Sequence, residues 1–244
     1  MIQDLHSHTY YSYCGKDSPE DVIKNAIENG IEKVGISDHY HGIVLASPGI
    51  SYENGDYKTV LHNKALERYY NHIKKLAERY KDCIEVWCGV EITTLDLGYT
   101  LLPDGVDVSM FDYCLIENIQ YEETTVADVL EFAARCGCKK TGLAHIDLPL
   151  YITQKGLDMD DFFKKMAERN MFWELNVNYD SIHGYKEHKY VSEFFENEKI
   201  INAVKRNNLS LSVGFDGHDL KDYDAARVKN ACSKLEELNI LMID

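Results

Sequence analysis

The chain has 244 residues, of which 45% are hydrophobic and 27% charged. These values are typical of a folded globular protein and exclude a disordered or low-complexity chain. The 41 acidic and 26 basic residues give a net charge of −15. A field of that sign repels phosphate backbones, so nucleic acid is not expected as a partner. A small phosphorylated substrate stays compatible with this charge if bound cations reverse it locally.

The cysteines and the N-terminal segment indicate a cytoplasmic protein. The seven cysteines are odd in number, and the only close pair, Cys136 and Cys138, does not have a zinc-knuckle spacing. Reduced thiols are the simplest interpretation. The first residues, MIQDLHSH, lack the basic and apolar regions of a signal peptide. No apolar run approaches the roughly 20 residues that would cross a bilayer, so no membrane association is expected.

Seven short apolar runs have the length and composition of buried strands. They are Ile2–Leu5, Lys33–Ser37, Ile84–Val90, Tyr113–Ile116, Thr141–Ala144, Phe172–Val177 and Leu209–Val213.

Segments with helical periodicity lie between these runs. The first begins with Ser18 as N-cap, has Pro19 at its first position and ends at Gly30. The others are Ala65–Tyr80, Thr125–Arg135, Asp158–Arg169, Glu198–Asn207 and Asp224–Leu238. Strands that alternate with helices, without a break in composition, predict one α/β domain over residues 1–244 with a parallel barrel. The stretch from His41 to about Asn63 is predicted to be a loop over one end.

Histidines and carboxylates follow five of the seven predicted strands. They are His6 and His8, Asp38 and His39, Glu91, His145, and Asp216 and His218. The carboxyl ends of parallel strands open onto one face of a barrel, where such folds place their active sites. A lone histidine at a strand end is more often structural than a ligand. Five strands that end in this way argue for a common site.

These residue types predict a metal centre. His6 and His8 are two residues apart, so on extended backbone they project to the same side. Imidazoles with carboxylates suit zinc, iron or manganese better than calcium or magnesium. Glu91 has two oxygens and can bridge two cations, which can clamp a phosphate and activate a water molecule. The other histidines are expected to be structural or solvent-facing, with His41 the least certain; they are His41, His62, His72, His183 and His188.

Five segments resemble the motifs of the polymerase and histidinol phosphatase (PHP) family of metal-dependent phosphoesterases, in the order of that family. They are Asp4–Thr9, Ile36–His39, Gly89–Glu91, Leu143–His145 and Gly214–His218. The resemblance implies a distorted seven-stranded (β/α)7 TIM-like barrel with two or three divalent metals, Zn, Mn or Fe, at its mouth.

The resemblance also assigns the ligands. One metal is expected on His6, His8, Glu91 and Asp216, a second on Glu91 and His145, and a third on His39 and His218. Asp38 is expected to orient its neighbours without binding metal, as carboxylates beside metal-bound imidazoles often do.

Two positions depart from the family pattern. Cys14 stands where the trinuclear phosphatases usually have a further histidine, and it is either a zinc ligand or an ordinary buried cysteine. After the fourth strand, a histidine of the family is missing. Glu117 can replace it as a carboxylate ligand, with Asn118 the less favoured alternative.

The resemblance implies hydrolysis of a phosphomonoester, closest to the histidinol-phosphate phosphatase branch. A metal-activated hydroxide would attack phosphorus, with Glu91, Asp216 and His218 as catalytic residues and His218 or a water molecule protonating the leaving group. Substrate specificity is expected from the loops His41–Asn63, Asp96–Asp107 and Asn178–Lys189, and Arg227 is a candidate phosphate contact. The alternatives are a non-catalytic metal-binding or sensor domain, or a PHP phosphoesterase that acts on nucleotides or phosphotyrosine. The net charge of −15 argues against an exonuclease.

Overall fold

The structure, a computed structural model, describes residues 1–45, 57–96 and 102–244. Its strands are β1 (Gln3–Asp4), β2 (Lys33–Ile36), β3 (Glu85–Thr93), β4 (Tyr113–Glu117), β5 (Thr141–Leu143), β6 (Met171–Asn176) and β7 (Ser210–Gly214). Its α-helices over the described residues are α1 (Pro19–Glu28), α2 (Tyr40–Leu45), α3 (Tyr57–Tyr80), α4 (Val129–Cys136), α5 (Leu148–Gln154), α6 (Met159–Glu168), α7 (Lys189–Glu196), α8 (Glu198–Arg206) and α9 (Ala225–Glu237).

The seven strands form one parallel sheet in which their spatial order is their order along the chain. The sheet curves into a nearly closed barrel. Its first and last strands meet through the backbone bond from Leu5 N–H to the Val213 carbonyl, at 2.9 Å. The predicted distorted (β/α)7 barrel is confirmed.

Two apolar layers hold the barrel together. The larger layer lies between the strands and the surrounding helices and includes Ile23, Leu66 and Phe163. A smaller layer fills the lower barrel interior with side chains that include Tyr113 and Phe172. Each such buried side chain contributes roughly 1.5–3 kcal/mol of hydrophobic free energy. The histidines and carboxylates of the predicted site lie beyond this filled interior, at the carboxyl ends of the strands, which we call the mouth.

The predicted loop from His41 to Asn63 is wrong at both ends. Helix α2 covers His41 to Leu45, and α3 begins at Tyr57, eight residues before the predicted start. A buried hydrogen bond of 2.6 Å joins the Tyr40 hydroxyl to His62 Nδ1, so a contact between the two helices supports helical backbone that local composition does not predict. Residues 46–56 lie outside the described residues, as do residues 97–101 of the second predicted loop.

Two other boundaries also differ from the prediction. Strand β3 continues beyond Val90 to Thr93, so Glu91 lies within the strand and does not follow it. Helix α4 begins after Asp128, whose carboxylate accepts hydrogen bonds from the backbone of Leu130 and Glu131. A side-chain cap of this kind starts a helix later than its periodicity suggests. None of the described helices is long and apolar enough to cross a membrane.

Candidate metal centre

The segment after β1 brings the first two histidines together. It runs beside the residues after β7, and the backbone N–H of His8 donates to the carbonyl of Gly217 at 2.9 Å. The Nε2 atoms of His6 and His8 are 3.1 Å apart, and both side chains are buried. The two imidazoles thus converge on one point of the mouth, as alternation on extended backbone predicts.

Asp216 faces this histidine pair from the turn after β7. Its backbone has a φ of 55°, in the left-handed region that non-glycine residues adopt where surrounding contacts enforce it. Here its N–H donates to the carbonyl of His6 at 2.7 Å. Its Oδ1 atom lies 3.0 Å from His8 Nε2 and 3.4 Å from His6 Nε2. Two residues further on, the imidazole of His218 stacks on that of His8 with centroids 4.7 Å apart.

Glu91 occupies the centre of the cluster. Its Oε1 atom lies 3.2 Å from Nε2 of both His6 and His145. Its Oε2 atom lies 2.9 Å from His39 Nδ1 and 3.4 Å from His8 Nε2. One carboxylate therefore reaches four imidazoles that come from three different segments of the chain, which is the position required of a bridging ligand.

Glu117, the last residue of β4, lies on the far side of Glu91. Its Oε1 atom is 3.5 Å from His39 Nδ1, and its Oε2 atom is 3.7 Å from His145 Nε2. The neighbouring Asn118 instead donates its side-chain amide to Thr93 Oγ1 at 2.9 Å. Of the two candidates that the sequence offers at this position, the structure brings Glu117 into the cluster.

Cys14 also reaches the cluster. Its sulfur and one ring nitrogen each of His8 and His39 lie within 4.8 Å of one another. Although burial raises the pKa of the Cys14 thiol, hydrogen bonds with His218 and His39 outweigh burial and lower it. A thiol in that environment forms a thiolate readily, and the thiolate is the form that binds metal.

Glu174, which the sequence pattern does not predict as a site residue, contacts two of the histidines through atoms that do not face Glu91. The Nδ1 atom of His6 lies 2.7 Å from its Oε1, and the backbone N–H of His145 donates to its Oε2 at 2.7 Å. A Cβ atom at Gly214 would lie 2.6 Å from the His6 Cβ, so only glycine permits this packing. An acidic residue inside the apolar strand MFWELN was the available signal.

Asp38 lies behind the cluster and contacts none of these imidazoles directly. Its carboxylate accepts hydrogen bonds of 2.7 Å from the backbone N–H and hydroxyl of Thr9 and from the Ser12 hydroxyl. The Ser12 oxygen in turn lies 3.2 Å from His8 Nδ1. Because the Ser12 proton is given to Asp38, His8 Nδ1–H donates to Ser12, and His8 Nε2 is left free to face the cluster.

The segment after β6 adds a second unselected carboxylate and two histidines that were expected to be structural. Asp180 is bonded to the Nδ1 atoms of His183 and His218, each at 2.9 Å. His188 stacks on His145 with centroids 6.2 Å apart. The signal for Asp180 and His183 was their position after the sixth strand, where the same strand-end argument applies.

Burial and neighbouring charges shift the pKa values of several side chains in the cluster. Burial disfavours the charged imidazole, yet the hydrogen bond and charge of Glu91 raise the pKa of His145 to about 9. Burial and the nearby charge of Glu91 raise the pKa of Glu117 to about 7. For His8, burial and the charge of His39 lower the pKa to about 3. Metal ions and protons compete for the same lone pairs, so this cluster has the character of a cation site.

The pairing of His39 with Glu91 bears on whether these residues fit a cation. His39 Nδ1 and Glu91 Oε2 are buried and form an ion pair at 2.9 Å that lacks the alignment of a hydrogen bond. Buried polar atoms without an aligned hydrogen bond are uncommon, and a cation would engage both. The donor set of imidazoles, carboxylates and one thiol is the set that binds zinc and related transition metals.

Arg227 lies apart from the cluster. Its Nε donates to the Val177 carbonyl at 2.9 Å, and its guanidinium pairs with Glu187 at 2.7 Å. No contact among the described residues joins it to the metal-ligand candidates. Of the other histidines, His72 bonds the Tyr11 hydroxyl from α3 at 3.0 Å. His41 stacks on the ring of His39 at 5.0 Å.

The fold and this cluster define a parallel α/β barrel with a histidine–carboxylate centre at its mouth. The family model for the PHP domain matches residues 4–239. The chain therefore belongs to the PHP family, and the family resemblance in its motifs is confirmed.

Two individual proteins illustrate the similarity. A protein of Thermotoga maritima named "Probable histidinol-phosphatase" is 30% identical over 156 residues, which cover 60% of this chain and 54% of that protein. The chain thus matches about half the length of this curated relative. The crystal structure of histidinol phosphate phosphatase from Lactococcus lactis, complexed with zinc, L-histidinol and phosphate, superposes with a TM-score of 0.59 at 15% identity. That match covers 99% of this chain and 95% of the other and supports the fold.

Proposed function

We propose that this protein hydrolyses a phosphomonoester at a centre of two or three divalent cations, as a phosphatase that resembles histidinol-phosphate phosphatase. The observation that carries the proposal is the position of Glu91, whose two oxygens face four imidazoles at the barrel mouth. Support comes from membership of the PHP family and from the name of the Thermotoga relative.

The cations would be held by three overlapping groups of side chains. The groups are His6, His8, Glu91 and Asp216; Glu91, Glu117 and His145; and Cys14, His39 and His218. Zinc is the metal in the Lactococcus structure, and zinc, manganese and iron all suit these donors. Such cations, when bound, supply Lewis acidity toward a phosphoryl group and lower the pKa of a coordinated water molecule.

The chain's own contribution is to orient the donors. Glu174 accepts the Nδ1 proton of His6, and Asp180 accepts that of His218, so both imidazoles present Nε2 to the mouth. In the metal-free protein, the charges of neighbouring imidazolium groups act against the effect of burial and hold the pKa of Glu91 and of Asp216 well below the usual range, so both carboxylates are ionised before a cation binds. A His218 that binds a cation through Nε2 has no proton on the nitrogen that faces the mouth. We therefore assign protonation of the leaving oxygen to a water molecule.

The substrate is proposed to be a small phosphorylated compound. Arg227, engaged with Glu187, has no described contact that supports its candidate role as a phosphate ligand. Reduced thiols are the form kept in the cytoplasm, and all seven cysteines are free, which supports a cytoplasmic location. The single seven-stranded sheet supports one barrel domain over residues 1–244.

The experiment pairs metal analysis with a substrate panel. Purified protein is loaded with zinc or manganese, and phosphate release is measured with p-nitrophenyl phosphate, L-histidinol phosphate, a nucleotide 3′-phosphate and a phosphotyrosine peptide. The proposal predicts bound metal and metal-dependent turnover, fastest with histidinol phosphate. Bound metal without turnover of any of these substrates would contradict it and favour the sensor alternative.

A further inference from the structure

The strand β6 has no residue in the ligand set that the sequence and the family pattern predict. The segment that follows it nevertheless places Asp180 and His183 at the mouth. The Asp180 side chain is only 1% exposed, and its two oxygens are each bonded to a different imidazole. Oδ1 lies 2.9 Å from His183 Nδ1, and Oδ2 lies 2.9 Å from His218 Nδ1.

His183 and His218 lie between the same two carboxylates. His218 Nε2 lies 3.6 Å from Asp216 Oδ1, and His183 Nε2 lies 3.7 Å from Asp216 Oδ2. The two rings have their centroids 5.2 Å apart. Asp180 therefore binds the Nδ1 side of both imidazoles, and Asp216 faces the Nε2 side of both.

This arrangement sets the chemistry of His183. A proton shared with the Asp180 carboxylate resides on Nδ1, so Nε2 offers a lone pair toward Asp216. A carboxylate that holds one nitrogen of an imidazole while the other faces a cation site is the usual arrangement of a metal-binding histidine. The side chain of His183 is 33% exposed, so it borders both the cluster and the solvent.

Asp216 supplies the remaining donor. Its Oδ1 atom faces His6 and His8, as expected of a ligand to the first cation. Its Oδ2 atom faces His183. A carboxylate in this position can bind one cation with each oxygen.

We propose that His183 is a further ligand of the third cation, which it binds through Nε2 together with His218 and Asp216 Oδ2, and that Asp180 positions both imidazoles. The inference rests on the metal centre of the proposed function. It adds a nitrogen donor beside the group in which Cys14 stands in for a histidine. Zinc sites commonly need three or four protein donors, and His183 supplies one from the segment after β6, which lies outside the predicted set.

The test measures zinc binding by the full-length chain without using catalysis as its readout. Zinc content is determined by mass spectrometry after gel filtration, and affinity by competition with a chromophoric chelator. His183→Ala is expected to lose about one zinc per chain. Asp180→Asn, which removes the charge that orients both rings, is expected to bind the weakest zinc about 10- to 100-fold less tightly. The matched control is His72→Ala, which removes a histidine of α3 that is bonded to Tyr11. This variant should bind zinc like wild type.

A structural role for His183 is separated from ligation by comparing melting temperatures with and without zinc. The proposal predicts that His183→Ala melts like wild type in the metal-free state and gains less from added zinc. Unchanged zinc content and affinity in His183→Ala would overturn it. The proposal would also be overturned if His183→Ala melted below wild type by the same amount with zinc and without it.

The proposed function fails in a distinguishable way. Wild-type protein that binds zinc, loses one equivalent with His183→Ala, but releases no phosphate would refute the phosphatase and keep the ligand. Wild-type protein that binds no zinc or manganese refutes both.

Discussion

The two ends of the barrel both bury charged side chains, but they neutralise them in different ways. At the lower end, Lys33 is fully buried, and its Nζ lies 2.8 Å from Asp244 Oδ1 and 3.5 Å from Glu85 Oε2. The same ammonium lies 4.2 Å from the centre of the Trp87 ring. The side chains of Glu85 and Asp244 are 52% and 79% exposed, respectively, so water completes their solvation. The charge of Lys33 is thus neutralised by partners that remain in contact with water.

The mouth differs because both members of its charged pairs are buried. The side chain of Glu91 is 1% exposed and lies 2.9 Å from His39 and 3.2 Å from His6, whose side chains are 11% and 0% exposed. Charged groups that are buried together, away from water, cost free energy and are frequent at functional sites. The difference between the two ends therefore supports a role of the lower end in the fold and the proposed role of the mouth in cation binding.

The largest expected effect comes from removing the histidine pair. His6→Ala together with His8→Ala should lower phosphatase turnover on the order of a thousandfold or more, because metal-based charge stabilisation is worth several kcal/mol. Metal content should fall with it, as measured by mass spectrometry on the same preparation. If the double variant keeps the metal content and rate of wild type, the mouth does not bind the catalytic cations and the distinction between the two ends is wrong.

Replacing Cys14 should have a smaller effect that is specific for the metal. Cys14→Ala is expected to lower zinc occupancy by about one equivalent, because it removes a thiolate from the group that contains His39 and His218. Cys83→Ala, at an exposed cysteine, is the matched control. Equal zinc content in the two variants would show that Cys14 is an ordinary cysteine.

Glu174→Gln tests whether the Glu174 carboxylate orients the His6 imidazole for metal binding. The amide keeps the size of the side chain but removes the charge that holds the Nδ1 proton of His6. We expect metal affinity to fall about 10- to 100-fold, the usual cost of altering such a partner. Chelator competition measures this change, and an affinity within twofold of wild type would argue that His6 is oriented by packing alone.

The smallest effect is expected at the lower end. Lys33→Met keeps an alkyl chain beneath Trp87 and leaves behind only exposed carboxylates, so no charge is stranded in the interior. Its melting temperature should shift by no more than about 4 °C. Metal content and turnover should match wild type, and a loss of either would mean that the two ends are coupled.

The sequence was sufficient to predict the strands and the polar residues at their ends. Each of the seven strands lies where an apolar run predicts it, because buried parallel strands are short and continuously apolar. His6, His8, His145, Asp216 and His218 could be selected because they follow such runs directly.

Other features depend on contacts whose partners the sequence does not identify. Helix α2 and the first turns of α3 are joined by Tyr40 and His62, which are 22 residues apart. Glu174 lies inside a strand, and only the folded barrel shows that it faces His6, 168 residues away. Asp180 and His183 lie in a polar segment whose composition resembles an ordinary loop.

The most direct test of the account is a crystal structure of the zinc-loaded protein with anomalous scattering measured at the zinc edge. The account predicts anomalous peaks on both sides of the Glu91 carboxylate, one of them beside His6, His8 and Asp216. Crystals of zinc-loaded protein with no peak within coordination distance of Glu91 would contradict it.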